Sequence, residues 1–266
     1  MANNRRDFLK KSCFGLLGLG AGFPLLRTVV SPSAASEPGH GTGTAVSKQW
    51  GMVIDIKKCL NEQVRQACIE ACNREHNIPV ISDPEEEIKW IWSEPFGNAF
   101  PDQVHPYIRH DLKGKPVLVL CNHCSEPGCV RVCPTQATWK RESDGIVMMD
   151  MHRCIGCRFC IAGCPYGARS FNFRDPRPHI AADNQSTYPT RTMGVVEKCN
   201  FCAERLRKGQ QPACVEAADQ LPGMKGALIF GDLADPNSEV SRVLKDQHTI
   251  TRKVSAGTGP NIFYIV

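Results

Sequence analysis

Short apolar runs punctuate the chain, and four of them are each followed within a few residues by cysteine. Gly51–Ile56 leads to Cys59, Cys68 and Cys72, and Val117–Leu120 leads to Cys121. Gly145–Asp150 leads to Cys154, and Gly194–Glu197 leads to Cys199. Runs this short, bounded by glycine or by polar residues, predict strands, and the mixed stretches after each cysteine group predict amphipathic helices. The unit of strand, cysteines and helix therefore recurs. After Cys214, Gly226–Phe230 predicts a closing strand, Asp235-Pro236-Asn237 a turn, Ser238–Leu244 a helix and Asn261–Val266 a last strand. The stretch from Pro79 to Pro116 has no cysteine and reads as an insertion, with Trp90, Trp92, Phe96 and Phe100 expected in local core.

The N-terminal segment follows another pattern. Asn4-Arg5-Arg6-Asp7-Phe8-Leu9-Lys10 precedes a weakly hydrophobic, glycine-rich run from Phe14 to Leu26 and the small residues Ser33-Ala34-Ala35. That order resembles a twin-arginine export signal, too short and glycine-rich to be a good spanning helix. Residues 36–49 are mostly Gly, Ser, Thr and Pro and read as a flexible linker. The expected layout is a signal over 1–35, a linker over 36–49, a cysteine-bearing domain over 50–230 and a helix-and-strand extension over 231–266. The expected location is the periplasm or the outer face of the cytoplasmic membrane. Cys13 falls in the signal and is set aside.

Composition makes a purely apolar core insufficient: 42% of residues are hydrophobic, 7% are aromatic and 15 are cysteine. The formal charge of +5 comes largely from the first 35 residues, whose five Lys or Arg and one Asp supply +4, leaving +1. A net +1 over the rest of the chain gives no strongly basic surface, so no nucleic-acid partner is expected.

A disulfide framework is the ordinary reading of many cysteines in an exported protein. Spacing argues against it. Cys154, Cys157, Cys160 and Cys164 occupy eleven residues, too close for ready pairing, and Pro165 follows. This is the C-x2-C-x2-C-x3-C-P run, in which three cysteines serve one 4Fe–4S cubane and the fourth serves a neighbour. Cys121, Cys124, Cys129 and Cys133, followed by Pro134, form a stretched version. Structural zinc uses paired C-x2-C too, but two facing groups with a proline after the fourth cysteine favour iron–sulfur. Exchange assigns cluster one to Cys121, Cys124, Cys129 and Cys164, and cluster two to Cys133, Cys154, Cys157 and Cys160. The fold class expected is α+β, a duplicated bacterial-type ferredoxin of βαβ units with long loop insertions.

From about Trp50 onward the chain resembles the four-cluster ferredoxin-type electron-transfer subunits, β-subunit-like partners of molybdopterin oxidoreductases and quinone-reactive membrane proteins. The run Ala71-Cys72-Asn73-Arg74-Glu75-His76-Asn77-Ile78-Pro79 and the stretch Lys89-Trp90-Ile91-Trp92 resemble, more narrowly, the DsrO or HmeA type from DsrMKJOP, or Hdr-like menaquinol oxidoreductase, complexes. In that family the first and last cysteine groups exchange ligands. The resemblance implies a cluster three held by Cys72, Cys199, Cys202 and Cys214. A fourth site would lack two ligands, one of them where Ala218 stands, so three 4Fe–4S clusters are expected. Cys59 and Cys68 are left as a disulfide, as buried thiols, or as remnants of a site holding 3Fe–4S or borrowing a carboxylate. His76 and His123 are expected to hydrogen-bond near the clusters rather than to ligate.

No nucleophile elbow, phosphate loop, dinucleotide fingerprint or acid–base carboxylate pair is present in the sequence, so no catalytic residue is expected. The resemblance implies a wire for single electrons between an NrfD-like integral membrane quinone-reactive subunit and a multihaem cytochrome c or other iron–sulfur subunits. Its setting would be menaquinone-linked sulfur metabolism. The alternative is a β subunit of an exported molybdopterin oxidoreductase or hydrogenase.

Overall fold

The computed structural model describes residues 47–182, 184 and 186–266; the expected signal segment and nearly all of the expected linker lie outside them. The described residues begin with β1 (Trp50–Asp55), α1 (Ile56–Cys59) and α2 (Glu62–Glu75), then β2 (Ile91–Pro95), α3 (Phe96–Ala99) and β3 (Pro116–Leu120). The middle holds α4 (Gly128–Arg131), β4 (Thr138–Lys140), β5 (Val147–Met149), α5 (Phe159–Ala162), β6 (Ser170–Phe171) and β7 (Val196–Glu197). Next come α6 (Ala203–Leu206), α7 (Ala213–Asp219), β8 (Leu228–Asp232), α8 (Glu239–Asp246), β9 (Thr249–Ile250) and β10 (Ile262–Ile265).

β1 is apolar along nearly its whole length because it is covered on both faces and flanked on both edges. It pairs antiparallel with β8, with Met52 opposite Phe230, and parallel with β10, with Met52 opposite Ile262. β9 completes a four-stranded sheet in the order β8-β1-β10-β9. The C-terminal segment is thus built into the sheet on which the first cysteine group rests, and Ile262 and Tyr264 are fully buried.

The cysteine-free stretch contributes more than local packing. Its strand β2 pairs antiparallel with β3, Ile91 opposite Leu120, and Trp90, Trp92, Phe96 and Phe100 join the main core beside Leu118, Leu120 and Tyr264. Phe100 meets Tyr264 edge to face at 4.9 Å. Truncating a side chain such as Trp90 to Ala typically costs about 3–5 kcal/mol. The remaining strands form two small antiparallel pairs, β4 with β5 and β6 with β7.

Helices follow the cysteine groups as expected, but only α2 is long. Asn61 caps it by accepting from the Gln63 amide at 3.0 Å, and Val64, Cys68, Ala71 and Cys72 form its buried face. Asn77, in the left-handed region at φ 51°, and Pro79 end it. α4, α5 and α6 are four-residue turns. Prolines or glycines stand close to two of these, at Pro127, Pro134, Gly163 and Pro165, and leave no room for another turn. No helix among the described residues is long and apolar enough to cross a membrane.

Candidate metal centres

Three loops of the form Cys-x-x-Cys share a backbone feature. The residue before the second cysteine is left-handed in each: His123 at φ 42°, Gly156 at φ 70° and Phe201 at φ 56°. Such a residue bends the chain so that successive amides converge on one point, a concavity suited to an anion. Bulky residues resist this region, so His123 and Phe201 are held there by their surroundings. Their rings stack on each other at 3.7 Å, which ties the Cys121 loop to the Cys199 loop. At Gly156 a Cβ would come within 2.4 Å of the Gly194 carbonyl, so glycine is required by space as well as by φ.

Cys121, Cys124, Cys129 and Cys164 line one small cavity, together with Tyr166 and Thr258. Burial pushes the Cys124 thiol up to about 12, against the hydrogen bond from Thr258. Burial also raises Cys164, and the nearby Cys121 thiolate adds to the effect. The cross-over of Cys164 into this set is possible because α4 and α5 touch through glycine: a Cβ on Gly128 would lie 3.0 Å from the Gly163 carbonyl.

The same contact brings the second set near. Cys129, Cys160, Val147 and Val196 share a core that Cys154 and Cys164 pack against. Burial raises the Cys160 thiol and Cys154 adds to it, while Arg169 opposes. Cys133 behaves differently: burial opposes ionisation, but amides of Thr138, Thr135 and Ala137 and the Thr135 hydroxyl outweigh it and lower the pKa. Cys157 is exposed, flanked by the exposed apolar side chains of Ile155 and Phe159. This set lies at the surface.

Cys72, Cys199, Cys202 and Cys214 come together where α2 packs on α7. Burial drives the Cys72 thiol far above its ordinary range, and Cys199, Cys202 and Cys214 each push it further. The Phe201 amide donates to Cys199 Sγ at 3.4 Å, and the Ala213 amide donates to Cys202 Sγ at 3.4 Å. His76 is buried against this set, its Nδ1 3.8 Å from Cys72 Sγ and its Nε2 2.6 Å from Glu204 Oε1. His76, Cys202 and Glu204 also place three donor atoms within 4.8 Å, but Cys202 belongs to the thiolate set.

Cys59 and Cys68 are buried thiols, not a disulfide. Cys68 Sγ donates to the Cys214 carbonyl at 3.3 Å, and Cys59 Sγ lies 3.8 Å from the Ala227 carbonyl. No left-handed residue occurs from 56 to 76; Leu60 is right-handed helical and α2 starts at Glu62. The amides that a cluster loop would aim inward are spent on helix. Arg65 Nη1 donates to the Cys59 and Leu60 carbonyls at 2.8 and 2.6 Å, and Ala218 is fully buried nearby in α7.

Four further residues at these sites, Arg169, Lys198, Thr258 and Glu204, escape a reading of the sequence. The first two flank cysteine groups in the chain, yet their partners are distant in sequence, so only a buried basic residue next to a cysteine could have signalled them. As to fit, the first and third sets offer sulfur donors that are largely buried and the second a set that reaches the surface, and in all three a metal must displace the thiol protons. Soft thiolates in a compact group suit an iron–sulfur cubane better than a hard cation.

A family model described as a 4Fe-4S dicluster domain matches residues 117–176, which contain both central cysteine groups. The α+β ferredoxin arrangement expected from the sequence is therefore present. The chain is 40% identical over 234 residues to the Hdr-like menaquinol oxidoreductase iron–sulfur subunit 1 of Archaeoglobus fulgidus, covering 82% of this chain and 83% of that one. It is 35% identical over 235 residues to the menaquinone reductase iron–sulfur cluster-binding subunit of Nitratidesulfovibrio vulgaris, covering 82% and 88%. Identity to the arsenate respiratory reductase iron–sulfur subunit of a Shewanella species is 34% over 246 residues, covering 81% and 95%.

Proposed function

Since the chain belongs to the iron–sulfur electron-transfer subunits of oxidoreductase complexes, we propose that it passes single electrons through three 4Fe–4S clusters between a quinone-reactive membrane subunit and a cytochrome or catalytic partner. Cys121, Cys124, Cys129 and Cys164 would hold cluster one, and Cys133, Cys154, Cys157 and Cys160 cluster two. Cys72, Cys199, Cys202 and Cys214 would hold cluster three. When bound, a cubane supplies one-electron chemistry at its irons. The chain's part is to fix the cubanes side by side, exclude water from two of the three sites and aim backbone amides at sulfur.

The observation that carries this reading is the contrast among the cysteine loops. Three have a left-handed residue ahead of the second cysteine, whereas the segment after Cys59 is a capped helix. A gradient of burial supports one end of the wire as the place where a partner meets it. Cluster three would be enclosed, and cluster two would open at Cys157 between Ile155 and Phe159, an apolar rim suited to a protein partner.

Relatives named as menaquinol oxidoreductase and menaquinone reductase subunits support a menaquinone-linked partner. Together with the DsrO/HmeA-like runs at Ala71–Pro79 and Lys89–Trp92, they support an NrfD-like membrane subunit, a multihaem cytochrome c and further iron–sulfur subunits, in a complex serving sulfur metabolism. The paired Arg5 and Arg6 support export by the twin-arginine route to the periplasmic side, with attachment to the membrane through partners. The match to a respiratory reductase iron–sulfur subunit favours a second reading, a β subunit serving an exported molybdopterin enzyme or hydrogenase. Gentle membrane extraction and identification of bound subunits decides between them. A quinone-reactive membrane protein with a cytochrome c is the expected outcome; a molybdopterin or nickel–iron subunit would replace it with the second.

A further inference from the structure

Two buried basic side chains stand among the cysteine sets, and no carboxylate among the described residues pairs with them. Arg169 follows Cys164-Pro165-Tyr166-Gly167-Ala168 and is buried. Its Nη2 donates to Cys129 Sγ at 3.0 Å and to Thr138 Oγ1 at 2.8 Å, and its Nη1 faces Met149 Sδ at 3.7 Å. Lys198 immediately precedes Cys199, is buried, and donates through Nζ to the Val147 and Cys199 carbonyls. Among the described residues neither side chain forms an ion pair with Asp or Glu. An enclosed cation without a counter-charge is heavily penalised, so each needs an anion nearby.

The thiolate sets are the anions within reach. Arg169 lines the cavity that Cys121 and Cys129 share, and Cys129, to which it donates, packs in one core with Cys160. Cys129 and Cys121 belong to the first set and Cys160 to the second. Lys198 lies against Cys199 of the third set, and Val147, whose carbonyl it binds, lines the cavity of the first.

We propose that Arg169 and Lys198 are potential-setting residues, Arg169 acting on clusters one and two and Lys198 on clusters one and three. This rests on the three-cluster reading above. A cubane with four thiolates carries about −2 when oxidised and about −3 when reduced. A fixed cation nearby is attracted more strongly to the reduced form, so it raises the midpoint potential, most where water is excluded. One electron enters from the reductant, no proton moves, and no bond to either residue forms or breaks.

The test is a redox titration of the anaerobically purified full-length protein, with dithionite as reductant and paramagnetic resonance as readout, after iron and sulfide have been counted. Arg169→Gln lowers the potentials of clusters one and two and leaves cluster three in place. Lys198→Gln lowers those of one and three and leaves cluster two. A tenfold fall in the reduction equilibrium appears as about 59 mV in a one-electron couple. Arg169→Lys keeps the charge but loses the fork that spans Cys129 and Thr138, so it shifts the same two clusters by less. If the Gln variants lose iron, the Lys variant decides by the same selectivity. Full iron content with unmoved potentials, or an equal shift of all three clusters, overturns the proposal while leaving the three-cluster reading standing. A wild-type protein without clusters would sink both.

Discussion

A left-handed backbone costs a histidine or a phenylalanine roughly 1–2 kcal/mol, so its appearance at the same position of separate loops calls for a common cause. His123, Gly156 and Phe201 each precede the second cysteine of a pair, where the bend aims amides and sulfur at one point. Gly156 is the most exacting of them, because a methyl group there would press on the Gly194 carbonyl at 2.4 Å, and backbone cannot step aside. Gly156→Ala is expected to cost the protein cluster two, about four irons per chain, while the absorption of the other clusters persists. Iron and sulfide analysis of the purified variant checks this; undiminished iron would show that the bend is not needed. At this scale much was legible in the sequence. The cysteines announce themselves because a cubane demands ligands a few residues apart, and that demand is local. Arg169, 40 residues from the Cys129 sulfur it touches, answers a demand that is not local, and nothing in its neighbourhood in the chain reveals it.

Among the elements, α2 is the decisive one. Its cap at Asn61 and its buried face turn the stretch between Cys59 and Cys68 into a packing helix, and Arg65 locks its start to Cys59. Cys59→Ala with Cys68→Ala is therefore expected to leave iron content unchanged and to lower stability by only about 1 kcal/mol per site. Cys72→Ser, one turn further along the same helix, is expected to remove about four irons. Metal analysis and thermal denaturation of both variants check the pair; iron lost from the double alanine variant would restore a metal role to the first two cysteines. The strands divide in the same physical way. β1 and β3 are legible because they are buried and read as nearly unbroken apolar runs, and β8 and β10 because apolar residues dominate them. β2 was hidden in the presumed insertion, since Ile91–Pro95 mixes Trp92 with Ser93 and Glu94. β5 and β7 fall within the runs Gly145–Asp150 and Gly194–Glu197, whereas β4 and β6, three and two residues long, are too short for any period to register.

The whole molecule has little to hold it together without metal around the cysteine loops. Its main sheet joins the first and last segments, but the middle consists of two-stranded pairs and single helical turns, which are marginal alone. Thiols, most of them buried in the first and third sets, replace much of the apolar contact a core would otherwise supply there. Stripping the metal with chelator under reducing conditions is expected to swell the protein and abolish cooperative unfolding, read by size-exclusion elution and circular dichroism. An apo chain with unaltered elution and a sharp transition would mean that packing alone suffices. The most direct measurement for the account as a whole is the amount of iron and acid-labile sulfide per chain after anaerobic purification. About twelve of each is the result expected from three cubanes on twelve cysteines; about sixteen would place a cluster at Cys59 and Cys68 and contradict the account.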